Sequence, residues 1–307
     1  MTQRLFDRYI MVDWSAAATP KTGTDSIWIG VLTIDGNEQA EIFCLNPPTR
    51  LAARQDLVSL LGETTPQTNR ALVGFDFALG YPSGTAAALG LGPPAEPAWQ
   101  RMHTYLSEWV SETADNSNTR FALAAQMNQI LSGGPHPFWG VPANKRSPYL
   151  QPKKGVFSDH HALSEQRLAE RWIKSRFKAS PKSVWQLLGA GAVGSQSLLG
   201  IPTLTYFRQV VEQTQIWPFE TGFQALTETR LHQTRCVFAE VYPSTLNWVQ
   251  NPDEVRDAAQ VRSLCEQFYA LDKQGQLGAA FGPPDSLERG KIAQIEGEEG
   301  WILTKNV

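Results

Sequence analysis

Four acids stand where an ordinary apolar core has none. Asp13 lies inside Tyr9–Ser15, among Ile10, Met11, Val12 and Trp14. Asp76 is flanked by Phe75 and Phe77, and Glu240 sits within Val237–Val241. Asp257 is the fourth. The apolar stripe of its helix is Val261, Leu264, Cys265 and Phe268, and Asp257 precedes Val261 by about one turn on that inward face. A buried carboxylate is costly unless it is paired, hydrogen-bonded or bound to a cation. One such acid alone reads as a strand-end cap or half of a salt bridge. Four of them, on three strands and one helix, point instead to a divalent cation that offsets their mutual repulsion. Hard oxygen donors select Mg²⁺ or Mn²⁺. Two such ions about 4 Å apart can hold the attacking and leaving oxygens of a phosphodiester. The expectation is that Asp13, Asp76, Glu240 and Asp257 are both the metal ligands and the catalytic residues.

A negative centre repels a phosphate ester unless cations stand nearby. The net charge of -3 hides a strongly basic stretch. Asn144–Lys182 holds ten basic residues and only Asp159, Glu165 and Glu170 as acids, so it carries +7 against -10 for the remainder. Lys145, Arg146, Lys153 and Lys154 fall on or just after the Gly- and Pro-rich stretch Ser132–Pro152. They are expected to flank the acidic cleft and bind substrate, with nucleic acid or another phosphorylated anion as the partner. The plainer reading of the segment is a solvated helical face and loop.

Other constellations carry less. Gly189–Gly194 spells GxGxxG, a dinucleotide-binding string only where a strand precedes it and a helix follows. The acid about 20 residues on, Glu212, lies in a helical pattern rather than at a strand end, so the string reads as close packing or a Gly-lined wall. His160 and His161 are adjacent and cannot face one ion together on a helix or a strand.

The elements that must position the acids follow from pattern. Strands are expected at Arg8–Ser15, Ser26–Asp35, Gln39–Leu45, Arg70–Leu79, Gln215–Phe219 and Arg235–Tyr242. The Asp35-Gly36 turn joins the second and third as a hairpin. Helices are expected at Leu51–Leu61, Pro97–Glu112, Asn118–Leu131, Ala162–Phe177, Ser183–Glu212 with a break at Gly200–Pro202, Pro252–Asp272 and Asp285–Ile295. Three strands, a helix, a strand, a long helical stretch, two strands and a helix describe one α/β sheet built from both ends of the chain. The chain therefore reads as a single domain over residues 1–307, with a core of about 1–83 and 214–307 and a helical insertion of about 84–213.

With 42% hydrophobic residues, 307 positions suffice for a sizeable core without metal or disulfide staples. No apolar run is long enough for a membrane span. Cys44, Cys236 and Cys265 lie far apart, and Met1–Arg8 lacks the apolar core of a secretory signal, so a cytoplasmic location is expected.

The phrases VDWSAA (Val12–Ala17), GFDFALGYP (Gly74–Pro82), AEVYPSTL (Ala239–Leu246) and EEGWIL (Glu298–Leu303) resemble those of the domain-of-unknown-function family four-two-nine. That family comprises predicted ribonuclease-H-like nucleases. The resemblance implies an α/β, ribonuclease-H-like mixed sheet with a large, mostly helical insertion. It implies a metal-dependent nuclease or phosphodiesterase in which Asp13, Asp76, Glu240 and Asp257 match the metal ligands by type and element order. Two other readings stay open. One is a small-molecule phosphoryl-transfer or biosynthetic enzyme on the same fold, although Ala16, Ala17 and Ala18 stand where phosphate-loop glycines would help. The other is a non-catalytic nucleic-acid-binding module, which would gain nothing from a negative centre.

Overall fold

The computed structural model describes residues 4–62, 64, 69–155, 163–189, 191–246 and 248–304. The three leading apolar runs form an antiparallel meander of β1 (Arg8–Asp13), β2 (Trp28–Ile34) and β3 (Ala40–Leu45). The Asp35 carboxylate caps the hairpin turn by accepting the Asn37 and Gln39 N–H groups. Helix α1 (Arg50–Gly62) then returns the chain, and β4 (Ala71–Phe75) lies parallel to β1. Five helices follow: α2 (Thr85–Ala88), α3 (Ala98–Trp109), α4 (Arg120–Ser132), α5 (Leu168–Arg176) and α6 (Gly194–Val210). The sheet resumes with β5 (Thr214–Ile216), passes through α7 (Glu228–Leu231), and continues with β6 (Cys236–Val241). Helix α8 (Arg256–Lys273) and the two-residue β7 (Ile302–Leu303) complete it.

The result is a seven-stranded mixed sheet of order β3-β2-β1-β4-β6-β5, with β7 also pairing β6. The α/β class expected from the sequence is observed, with both ends of the chain in one sheet and helices between β4 and β5.

Side-chain alternation sorts the strands onto two covering layers. Ile10, Val12, Val73, Phe75 and Phe238 face α1, α3, α4 and α6. Tyr9, Met11, Leu72, Val237 and Ala239 face the other way, onto α8 residues Val261, Leu264, Cys265 and Phe268 and onto α5 residues Ala169 and Ile173. Both layers are apolar to the core, which explains why β1, β4 and β6 read as near-continuous apolar runs.

Two expectations about helices are corrected. Gly200–Pro202 does not break the helix expected over Ser183–Glu212: α6 starts only at Gly194 and runs through it with Pro202 inside. A Cβ on Gly200 would fall 2.3 Å from the Phe77 ring, so glycine is what lets the helix close on the sheet there. The helix expected over Asp285–Ile295 is present but starts later and changes winding, 3-10 at Arg289–Lys291, α at Ile292–Gln294 and π at Ile295–Glu299. Among the described residues no helix is long and apolar enough to cross a membrane. The three cysteines are free thiols.

Candidate functional site

The parallel register between β1 and β4 pairs Val12 with Phe75. One step further sets Asp13 beside Asp76, on neighbouring strands only ~4.8 Å apart. The Asp76 N–H donates to the Val12 carbonyl at 3.2 Å and closes the ladder at that point. Both acids have the side-chain parity of Met11 and so lean toward the α8 side of the sheet. This is the carboxyl end of the parallel strands, where open α/β sheets bind ligands.

The two carboxyl groups are close enough to act on each other's proton, and each shifts the other. Burial, then the Asp76 charge and the Asp257 charge, raise the Asp13 carboxyl well above its ordinary value. Burial also pushes Asp76 up to about 7, against the pull of the Trp14 N–H, Asp13 and Gln196. Asp76 is held from two sides: the Trp14 N–H donates to one oxygen at 2.7 Å and the Gln196 amide to the other at 3.3 Å. Gln196 also donates to the Trp14 carbonyl. A pair so arranged keeps one proton between its members unless a cation takes its place.

Asp257 enters from the first turn of α8 and is buried as the stripe of that helix requires. It accepts the Asp25 N–H at 2.7 Å. Asp13, Asp25, Asp76, Glu240 and Asp257 all line one cavity of about 340 Å³. A second cavity of about 590 Å³ shares Asp13, Asp25, Gln196 and Asp257 with it, so the two form one continuous cleft. Loop Ser15–Ala17 on its wall is clamped by the fully buried Arg50, which donates to the Ser15 and Ala17 carbonyls at 2.8 and 2.9 Å.

Glu240 reaches the cavity by a different route. Its register partner on β4 is Phe75, not Asp76, so its side chain starts from the opposite face of the sheet. There Arg167 donates to both of its oxygens, at 2.5 and 2.8 Å, and the Leu79 N–H adds a third bond at 3.1 Å. Arg167 also pairs with Glu170. Burial works against the Arg167 charge, but Glu170 and Glu240 more than restore it, and its pKa is raised. The expected fourth ligand is thus one arm of a buried Glu–Arg–Glu triad. Among the described residues no three His, Cys, Asp or Glu side chains form a group ready to enclose an ion. The four expected ligands are therefore not brought into one cage.

None of the four expected substrate-binding cations is among the described residues that line the cleft. Lys145 lies over the Phe121 ring at 5.8 Å. Arg146 and Lys153 are exposed, and Lys154 pairs with Glu165 at 2.5 Å in a neighbouring cavity. Their loop is pinned instead to α4, where Asn128 donates to the Phe138 and Tyr149 carbonyls at 2.9 and 2.7 Å. The cations lining the cleft are Lys21, Arg120, Lys182 and Arg256, which the charge-run argument passed over except for Lys182. Gln196 was equally unmarked; the signal that points to it is the GxGxxG string it closely follows. No sheet strand precedes that string, only an isolated bridge between Gln186 and Trp139. Gly189 and Gly191 line the cleft, and Gly194 starts α6 packed on the Val184 and Gln186 carbonyls. His160 and His161 lie outside the described residues.

Comparison with family models, with curated proteins and with solved structures finds no match to this chain.

Proposed function

We propose that this protein is a Mg²⁺- or Mn²⁺-dependent phosphodiesterase or nuclease on a ribonuclease-H-like sheet. The observation that carries the reading is the juxtaposition of Asp13 and Asp76, set side by side by register at the carboxyl end of parallel strands, with Asp257 behind them in one cleft. The antiparallel β1–β3 meander followed by parallel β4 and β6 supports the fold assignment. So does the placement of the phrases that resemble family four-two-nine: three of them end at or beside the cleft, and the fourth braces it.

The donor set fits a hard divalent ion. Mg²⁺ commonly takes one or two carboxylates and fills its remaining positions with water and substrate oxygens. Asp13 and Asp76 supply such a pair, and Asp257 lies close enough to act on Asp13 electrostatically. When bound, the ion supplies charge neutralisation and Lewis-acid polarisation of a phosphoryl oxygen. The chain's own residues do the rest. The Trp14 N–H and Gln196 fix Asp76 so that its orientation does not depend on the ion. Arg167 donates to both oxygens of Glu240 and opposes the burial that raises its pKa.

A second reading, a small phosphorylated substrate rather than a nucleic-acid strand, is favoured by the cleft itself. Its cavities are of ligand size, and the basic quartet that would track a strand lies away from them.

The test is hydrolysis of bis(p-nitrophenyl) phosphate and of short DNA and RNA strands with Mn²⁺, Mg²⁺ or EDTA, alongside thermal denaturation in the same buffers. Metal-dependent turnover that disappears in Asp13→Asn supports the reading. Neither turnover nor metal-linked stabilisation of the wild-type chain would sink it.

A further inference from the structure

Arg120 is a buried cation with no carboxylate partner. It is 7% exposed and appears in no ion pair among the described residues. Its Nε donates to Ser195 Oγ at 2.9 Å and its Nη1 to Asn118 Oδ1 at 2.8 Å, both neutral acceptors. Its Nη2 has no hydrogen-bond partner, and the residue lines the 590 Å³ cavity. Burial and then the Arg50 charge lower its pKa to about 10, so it remains a cation at neutral pH. The one carboxylate that acts on it, Glu112, already pairs with Arg50 and Arg54; a buried charge so weakly compensated is expensive, and an anion in the cavity would relieve it.

The helix start that Arg120 touches offers further donors. The first turn of α6 has no side-chain cap. The Ser195 and Gln196 N–H groups find no acceptor among the described residues, whereas Gly194 donates to Gln186 and Ser197 to Val193. Free N–H groups at the start of a 17-residue helix, with the helix dipole behind them, favour an anion. Gly189 and Gly191, both at positive φ, line the same cavity with no side chain of their own.

We infer that Arg120, the Ser195 and Gln196 N–H groups, Gly189 and Gly191 form a phosphate subsite beside the Asp13–Asp76 pair, holding the phosphate that neighbours the reacting one. The inference deepens the proposed function, since it makes the substrate a nucleotide-type molecule with at least two phosphate groups. Arg suits the role because its fork meets two phosphate oxygens at once. Asp13, Asp25 and Asp257 share the cavity and oppose an anion there, so occupancy rises when a divalent ion offsets them.

The experiment is calorimetric titration of the full chain with inorganic phosphate, a nucleoside 5′-monophosphate and the parent nucleoside, each in Mg²⁺ and in EDTA. Phosphate and the monophosphate are expected to bind and the nucleoside to bind at least about tenfold more weakly. Preferred binding of the monophosphate over free phosphate marks an ester as the occupant, and equal binding marks the phosphate group alone; either supports the subsite. Arg120→Gln should weaken phosphate at least about tenfold. Leu188→Asp adds a negative charge at an exposed position of the cavity wall, and should weaken phosphate several-fold with the fold unchanged by circular dichroism. Wild-type affinity in a folded Leu188→Asp, or no phosphate binding by the wild type, overturns the subsite. Mn²⁺ titration of the same proteins separates the two proposals. Mn²⁺ binding without phosphate binding leaves the metal reading standing alone. Arg120-dependent phosphate binding without Mn²⁺ binding leaves the subsite standing alone.

Discussion

Two sets of carboxylates, one buried and one half-buried at the cleft, end neighbouring strands of one sheet, and they are treated oppositely. On the β6 side, Glu240 and Glu170 share the fully buried Arg167. Around them, Glu299 accepts the Ser83 and Leu168 N–H groups at 2.9 and 2.6 Å, and Glu298 accepts those of Gly84 and Ala86 at 2.8 and 3.0 Å. His103 holds the Leu79 carbonyl at 2.8 Å while the Leu79 N–H binds Glu240. On the β1–β4 side, Asp13 and Asp76 meet each other with no cation between them. A buried carboxylate with its own cation and N–H donors is a brace. A half-buried pair without one, at the wall of a cleft, is a site kept open for something positive. The cost of the open pair is borne by a sheet end that is rigid on its other side.

The sharpest way to break this contrast is to unmake the brace. Arg167→Met leaves two buried carboxylates without a cation and is expected to cost about 3–5 kcal/mol, read from urea denaturation. A loss under ~1 kcal/mol would show that the triad is solvated and the contrast unfounded.

The next effect is a pH dependence confined to the braced side. Burial lowers the His103 pKa from 6.5 to about 4. The unfolded chain takes up this proton as pH falls through about 6.5, the folded chain only near 4. The stability His103 contributes is therefore complete above that upper value and lost progressively between the two. The loss amounts to about 3 kcal/mol. His103→Gln should flatten the difference between stabilities measured at pH 7 and pH 4.5.

Smaller, and opposite in sign, is the effect at the open pair. The raised Asp13 and Asp76 values mean that ionising both in the folded state is unfavourable. Asp13→Asn is expected to stabilise the cation-free protein at pH 7 by roughly 1–2 kcal/mol and to abolish any shift in melting temperature with Mn²⁺. Destabilisation by this variant would make Asp13 part of the brace.

The smallest effect belongs to the exposed basic loop. The double reversal Lys145→Glu/Arg146→Glu should change stability by less than ~0.5 kcal/mol and leave phosphate affinity in the cleft within about twofold. A large loss of phosphate binding would return the loop to the site.

Much of this was legible from residue type and spacing. The hairpin turn at Asp35, the apolar runs of β1, β4 and β6, and the inward stripe of α8 that carries Asp257 all depend on local periodicity, which needs no tertiary information. An acid inside an apolar strand is likewise visible in one dimension. The function of each acid was not. Asp13 and Asp76 lie 63 residues apart, and Asp76 and Glu240 164. Whether such residues face one another depends on a register that only strand pairing sets, and a slip of one residue reverses the face. Register put Asp13 beside Asp76 and Glu240 beside Phe75. The same holds for cations: a charge run counts Lys145 and Arg146 but says nothing of where their loop docks, whereas Arg120 and Gln196, in no charged run at all, reach the cleft because α4 and α6 pack across it. The sequence by itself determined which strands are buried, which helix faces turn inward and that carboxylates would be held there at a cost. Tertiary structure alone decided which carboxylates received a cation and which did not, because charge pairing acts over a few ångströms of space and takes no account of distance along the chain.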